Sequence, residues 1–531
     1  MNYKINEVLS DGYVKGEIVS FKYKEEKDVG LDKEFEFNKL KHAIEKTKLE
    51  FEELSNSNQD LKDYINILIL IATDPELKKK CESRIKIGLS AKGALYDVMN
   101  KTTEEILKST SSYLRERASD VSDVILRIIN NLDDNKKFIT HDKFILRTEV
   151  LYPSFLIQKR NNIIGVIVDN GGYTSHAAIM CRAFDIPLVI SDCELNNDDL
   201  VIIDSRKKLI NINPTIDEIN EFDKEYEIRN SYPKCAIEHK GFKFLANVST
   251  NYELDKVINY NFDGIGLYRT ELIFMNNDRP YTYEEQLSIY SEAIEKLKNK
   301  EIIFRTFDVG DDKKLHYLKA NKKGIDNYKN NPEIFETQIK AMLMANRYNN
   351  MSIMFPMIES FKEFKYLKKW VLKICKKNKC IKPKIGMMLE TKEALLNIKT
   401  FKKVDFMSIG TNDLTFELYG IDRNTMKNDL SYVKDLVKKI KPAIDFANKN
   451  NIDIAVCGEL AGIEESALLF LKAGIKNLSV SPSLIRILNV TLEAYKNEKE
   501  WLKNIILFLV AHDFIFNLYF YHLKWYNFNI N

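Results

Sequence analysis

At 531 residues the chain is too long for one ordinary core, and two to four domains are expected. Hydrophobic residues make up 45% of it and aromatics 11%, which excludes a disordered chain. Net charge is +3, from 80 basic and 77 acidic residues, so no basic excess marks it as a nucleic-acid binder.

The opening MNYKINEVLSDGY carries no apolar stretch of the kind a secretion signal has, and residues 1–24 read as short strands with a turn at Asp11-Gly12. From about 30 to 133 the pattern is helical: DYINILILIATDPEL and YLRERASDVSDVILRIIN space apolar residues at three and four, with Asp74-Pro75 as a helix-ending or helix-starting turn. From about 145 to 213 short β-branched runs (IIGVIVD, PLVI, LVIID) alternate with helical stretches, an α/β texture. TIDEINEFDKEYEIRN then reads as a linker helix. Beyond it come eight apolar strand candidates separated by amphipathic helices: FLANV, DGIGLY, IIFRTFDV, SIMFPMI, KIGMML, FMSIG, DIAVCG and NLSVS. Eight such units match a (β/α)8 TIM barrel. The aromatic C-terminal tail is broken by His512, Asp513, Asn517, His522 and Lys524, and no stretch reaches about 18 uninterrupted apolar residues, so no membrane span is expected. Seven scattered cysteines without framework spacing fit a reducing cytosol.

Barrel active sites lie at the C-terminal ends of the strands. Polar residues collect there: Arg269 and Glu271, Arg305 and Asp308, Glu390, Asn412 and Asp413, then Cys457 and Glu459. That convergence points to an anionic substrate. Arginine forks match phosphate and carboxylate, so Arg269 and Arg305 read as a phosphate clamp rather than rim salt bridges. Glu390 and Asp413, with water and phosphate oxygens, suit octahedral Mg²⁺, and Asn412 supplies a neutral donor. Cys457 reads equally as a buried structural thiol or as a proton donor to a carbanion-like carbon. Before the barrel, Gly171-Gly172 turns the chain after IIGVIVD, and Thr174 and Ser175 are helix-capping types. His176 therefore sits at a helix N-terminus, where free N–H groups favour an anion, and reads as a nucleophile that carries a phosphoryl group.

These motifs resemble Enzyme I, the phosphoenolpyruvate–protein phosphotransferase family of the bacterial sugar phosphotransferase system. LSDGYVKGEIV, YLRERASDVSDV, GGYTSHAAIMCR, GLYRTELIFM, RTFDVGDDK, IMFPMIES, IGMMLET, SIGTNDLT and CGELAG follow in the family's order. The resemblance implies a multidomain α/β chain: a swivelling phosphohistidine domain (1–24 and 140–215) with an inserted helical HPr-binding domain (25–139). A linker helix (216–236), a TIM barrel that binds phosphoenolpyruvate and forms the homodimer (237–505) and an atypical tail (506–531) follow. It implies that His176 takes the phosphoryl group of phosphoenolpyruvate, releasing pyruvate, and passes it to the carrier protein HPr in the cytoplasm. It further implies that Arg269, Arg305, Arg423, Asn412 and Asp413 bind substrate, that Glu390 and Asp413 hold Mg²⁺, and that Cys457 moves a proton at the methylene carbon.

Several positions depart from the family's pattern. Tyr173 replaces a common Arg, Asp311 a Gly, Lys392 a Pro and Phe416 a Gln. Lys323 and Asp326 stand for two arginines, and Leu68 for a histidine of the HPr-facing region. A degenerate paralogue that binds HPr with weak turnover is the alternative reading. A dikinase is disfavoured, because residues 30–133 are too short for a nucleotide-grasp domain.

Overall fold

The computed structural model describes residues 2–21, 32–58, 61–108, 112–132, 142–172, 175–237, 241–275, 279–309, 315, 317–319, 323–420 and 430–498. Tyr173, Thr174, Asp311, Arg423 and the aromatic tail lie outside the described residues.

The first domain is built on an eight-stranded sheet: β1 (Asn2–Lys4), β2 (Glu7–Ser10), β3 (Tyr13–Phe21), β4 (Phe144–Thr148), β5 (Ile163–Val168), β6 (Leu188–Ile190), β7 (Leu200–Asp204) and β8 (Leu209–Ile212). Their order is β1-β8-β7-β3-β4-β5-β6-β2. The centre, β3 to β6, is parallel, and the flanking pairs are antiparallel. Parallel neighbours need a crossover. Between β3 and β4 that crossover contains five helices, α1 (Lys33–Ser57), α2 (Lys62–Ala72), α3 (Pro75–Lys86), α4 (Ala91–Leu107) and α5 (Ser112–Asn130). The Asp74-Pro75 turn starts α3: the Asp74 carboxylate accepts the Glu76 N–H at 2.8 Å, and Pro75 occupies the first turn, where a missing N–H costs nothing.

Two further helices complete the sheet domain, α6 (Pro153–Lys159) and α7 (His176–Phe184). Strand β5 is apolar on both faces because α-helices and sheet neighbours cover both sides. Helix α8 (Ile216–Ser231) opens with a capping box, in which the Glu218 carboxylate accepts the Thr215 N–H at 2.8 Å and the Thr215 hydroxyl accepts the Glu218 N–H at 3.3 Å. It lies along the sheet domain, with Phe222 buried 4.4 Å from the Tyr13 ring and Lys15 paired to Asp223 at 2.5 Å.

All eight strands expected after the linker form one closed parallel barrel. They are β9 (Lys243–Val248), β10 (Gly264–Arg269), β11 (Glu301–Arg305), β12 (Met351–Phe355), β13 (Lys384–Leu389), β14 (Phe406–Ile409), β15 (Asp453–Val456) and β16 (Asn477–Val480), and β16 pairs with β9 to close the ring. Leu267, Ile303, Met354, Met388, Phe406 and Cys457 pack together as an apolar cluster of their own. The sheet domain meets the barrel at the far end of α7. Asp185 caps that helix in the left-handed conformation and accepts from Lys234 at 2.6 Å, and from Lys256 of α9 (Leu254–Asn259) and Tyr260. Among the described residues, no helix is long and apolar enough to cross a membrane.

The barrel's closure depends on close backbone approach at β10. A Cβ at Gly264 would meet the Glu301 carbonyl oxygen at 2.4 Å, and backbone there cannot yield. Gly264→Ala is expected to cost about 1–3 kcal/mol, measured as a lower urea midpoint for the barrel transition.

Candidate active site

The C-terminal mouth of the barrel is organised around one buried guanidinium. Arg305 ends β11 at 7% exposure, and its Nε and Nη2 donate to Glu271 Oε1 at 2.9 and 2.6 Å. Asp308 lies 4.0 Å from Nη1. Burial works against the charge, but Glu271, Asp308 and Glu390 outweigh it, and the guanidinium is held protonated more firmly than usual. Thr270 ties the β10 end to this centre, donating its hydroxyl to the Arg305 carbonyl at 2.7 Å. Arg269, the preceding residue, ends β10 at the same rim.

Glu390 follows β13 and is fully buried. Its Oε1 accepts the Met357 N–H at 2.7 Å, while its Oε2 has no hydrogen-bond partner. Burial and the neighbouring Asp413 and Asp308 push its pKa up to about 8, against the pull of Arg305. Gly410 supplies the space: a Cβ there would meet Glu390 Oε2 at 2.5 Å. A buried carboxylate oxygen left bare beside a second carboxylate fits a divalent cation. Among the described residues no cluster of three or more His, Cys, Asp or Glu could hold a metal alone, so substrate or water oxygens would have to complete a shell begun by Glu390 and Asp413.

Asn412 and Asp413 sit in the first turn of the helix Thr411–Tyr419, beyond β14. Asn412 Oδ1 accepts the Glu459 N–H at 3.2 Å, which joins the ends of β14 and β15. Lys323 lies 3.8 Å from Asp413 Oδ1, so the lysine that stands for a family arginine does face this rim. Cys457 follows β15, buried, its Sγ 3.6 Å from the Ile409 carbonyl. Burial is the main reason its pKa is pushed up to about 11, so the thiol is protonated at neutral pH. Asn247, which the sequence reading passed over, donates to the Cys457 carbonyl at 3.0 Å and to the Ser479 carbonyl at 3.0 Å. No local motif marks it, because its partners are about two hundred residues away.

His176 stands apart from this cluster. Ser175 caps α7, its hydroxyl accepting the Ala178 N–H at 3.2 Å, so the imidazole begins the helix as expected. The ring faces the inserted helices: the Tyr64 ring lies 4.6 Å away and Asp120 Oδ1 is 3.5 Å from Nδ1. A cavity of about 200 Å³ opens beside it, lined by Leu9, Ser119, Val150, Pro153, Gly171 and Leu188 among others. Leu68 is sealed in the helical core, whereas Phe416 is 58% exposed on the barrel.

Residues 8–117, 140–208 and 223–496 match, in turn, the N-terminal, mobile and PEP-binding domains of the PEP-utilising enzymes. A phosphoenolpyruvate-protein phosphotransferase of Borreliella burgdorferi is 33% identical, with 89% of each chain covered. The chain belongs to the phosphoenolpyruvate-protein phosphotransferase family. Another member of this enzyme family, from Bacillus subtilis, is 30% identical over 86% of this chain and 87% of its own. A solution structure of Enzyme I is 26% identical, covering 42% of this chain and 98% of that one, with a TM-score of 0.35.

Glu390 gives the family's barrel site a pH signature. Its folded pKa, about 8, is raised above the unfolded value. The metal-free protein therefore loses this group's stabilisation as pH rises from about 4.5 to 8. A cation held by Glu390 would have to expel the proton, so Mn²⁺ affinity is expected to rise over pH 6–8 and level off above. Calorimetry in buffers of different ionisation enthalpy reads the released proton, and Glu390→Gln should abolish both the release and the pH slope.

Proposed function

We propose that the chain takes the phosphoryl group of phosphoenolpyruvate onto His176, releases pyruvate, and passes the group to a histidine of HPr in the cytoplasm. Family membership supports the reaction. The observation that carries the residue assignment is the convergence of Arg305, Glu390, Asp413 and Cys457 on one barrel rim. Arg269 and Arg305 bind the anionic ends of the substrate, with Asn412 as a neutral donor. Arg423, outside the described residues, joins them on the strength of the resemblance alone. Arg305 is fixed by Glu271 before substrate arrives, so little side-chain order is lost on binding.

The His176 imidazole attacks phosphorus; the N–P bond forms as the bond from phosphorus to the enol oxygen breaks. The leaving enolate takes a proton at its methylene carbon from the Cys457 thiol, giving pyruvate, and the thiolate recovers a proton from water. A thiol held protonated by burial suits the donor's role. Glu390 and Asp413 would hold Mg²⁺, which when bound supplies positive charge to phosphoryl and enolate oxygens. The docking of HPr on the helical insert rests on the resemblance alone. The homodimer through the barrel rests likewise on the resemblance.

Protein incubated with labelled phosphoenolpyruvate and Mg²⁺ is expected to carry an acid-labile, base-stable label that His176→Ala removes. Cys457→Ala is expected to slow labelling by roughly 100-fold while leaving the phosphorylated form able to label HPr. A label that survives His176→Ala would reject the assignment.

A further inference from the structure

The helix Phe361–Asn378 covers the outside of the barrel between β12 and β13. Phe364, Leu367, Val371, Ile374 and Cys375 bury its inner stripe. The outer stripe is lysine: Lys362, Lys365, Lys369, Lys373, Lys376 and Lys377 are all exposed and recur at spacings of three and four. Lys379 and Lys382, also exposed, continue it into the turn before β13. Ten of the chain's 80 basic residues and one of its 77 acidic residues fall within 361–384, so this stretch carries +9 and the rest of the chain −6. In that stretch only Lys368 and Lys384 have an ion-pair partner among the described residues, Asp405 at 2.8 Å and Glu301 at 3.6 Å. Lys368 also donates to the Lys403 carbonyl at 3.1 Å, which brings the exposed Lys402 and Lys403 to the edge of the same face. The one carboxylate, Glu363, turns back to cap the helix and accepts the Glu359 and Ser360 N–H groups at 3.0 and 3.3 Å. Glu336 of the neighbouring helix Pro332–Ala345 accepts from Trp370 Nε1 at 2.8 Å.

Lysine is common throughout the chain, but on other helices it is paired with acids three or four residues away. Lys48 of α1 meets Glu45 and Glu52, and in α3 Lys78 meets Glu82 and Lys80 meets Glu76. In the helix Leu430–Lys449, Lys439 meets Asp435 and Lys441 meets Asp445. Lys365, Lys369, Lys373 and Lys377 instead repeat at four, where like charges destabilise a helix. Abundance of lysine accounts for the cations and not for the missing carboxylates. A helix that bears this repulsion suits a surface that supplies the negative charge.

A second copy of the chain is a poor occupant, because a two-fold contact centred here would set the face against itself, cation on cation. Residues 361–384 hold no arginine, so no planar fork is present to read single phosphates bidentately. The face is the convex side of a helix. Tyr366 and Ile381 stand exposed among the lysines, and Lys329 lies 5.8 Å over the Tyr366 ring. Diffuse cations around an exposed aromatic and an exposed aliphatic side chain suit a plane of anionic headgroups. We propose that the outer face of the helix Phe361–Asn378 and the turn after it form a docking surface for a bilayer that bears anionic lipids. Residues 376–384 lead into the start of β13, at the end of the barrel opposite the mouth. A bilayer bound there leaves the mouth open to solvent. The surface is separate from the reaction at His176 and does not depend on it.

The test mixes the full chain with sedimenting vesicles and reads the bound fraction. Vesicles of phosphatidylcholine with about 30% phosphatidylglycerol are expected to bind the chain at about 50 mM salt, with affinity falling at least about tenfold by about 300 mM. Vesicles of phosphatidylcholine alone are expected not to bind it. The triple variant Lys369→Glu, Lys373→Glu and Lys376→Glu is expected to bind the anionic vesicles at least about 100-fold more weakly. Lys33→Glu, Lys41→Glu and Lys79→Glu together, at exposed positions of the helical insert, give the same net charge and are expected to leave affinity within about threefold of the parent. Equal losses in the two variants would assign the binding to net charge and overturn the proposal. So would a parent chain that ignores anionic vesicles or binds neutral ones equally, a comparison that needs no variant to fold. A single-stranded RNA oligomer still held at salt that has released the vesicles would make this a nucleic-acid face and overturn the proposal as well.

Discussion

A guanidinium sealed inside a protein has to be paired, and the barrel is arranged so that Arg305 is. Removing one partner of such a buried pair leaves a bare charge, which costs more than the pair contributes. Glu271 meets it from the segment that follows β10, and Asp308 from the turn after its own strand. Glu271 can do so only when β10 and β11 are in register at their C-terminal ends. The same positive charge partly offsets the burial of Glu390 across the mouth, and Glu390 in turn adds to the burial that raises the thiol of Cys457. On the proposed function, closure of the barrel, substrate recognition and the state of the proton donor are thus linked through one side chain.

The second chemical centre is built on different physics. His176 begins α7, and the two ends of that helix serve two neighbours. Its N-terminus meets Asp120 and Tyr64 of the helical insert, while Asp185 at its C-terminus is bound by Lys234, Lys256 and Tyr260. Burial opposes the charge on Asp185, yet the two lysines and the tyrosine outweigh it and keep its carboxyl ionised. On the proposed function, a phosphoryl carrier that faces its acceptor's docking surface must turn toward the barrel to be charged, and the Asp185 contacts and those of α8 with the sheet domain define what that turn disturbs.

The barrel was legible because its strands are buried on both faces, so each appears as a short unbroken apolar run between amphipathic helices. All eight such runs are strands of the ring. The rim residues were legible because a polar residue just past an apolar strand has few structural reasons to be there. Strands β4 and β8 were harder: they are five and four residues long, and FILRT and LINI carry no turn signal that sets them apart. The surroundings of His176 were not legible at all. Tyr64 and Asp120 lie 56 residues apart on two helices and meet only when α2 packs on α5. Within each helix they look like ordinary polar positions of an amphipathic pattern. Asn247 is the same case in the barrel, a side chain whose two carbonyl partners come from strand ends more than two hundred residues on.

The claim that joins both centres is that the rim delivers a phosphoryl group to His176. It is tested most directly by mixing the full chain with phosphoenolpyruvate and Mg²⁺, without any acceptor, and following pyruvate and intact mass together. One equivalent of pyruvate per chain, released as the chain gains the mass of one phosphoryl group on His176, is the expected result. Pyruvate released with no gain in mass, or a phosphoryl group found on another residue, would contradict it.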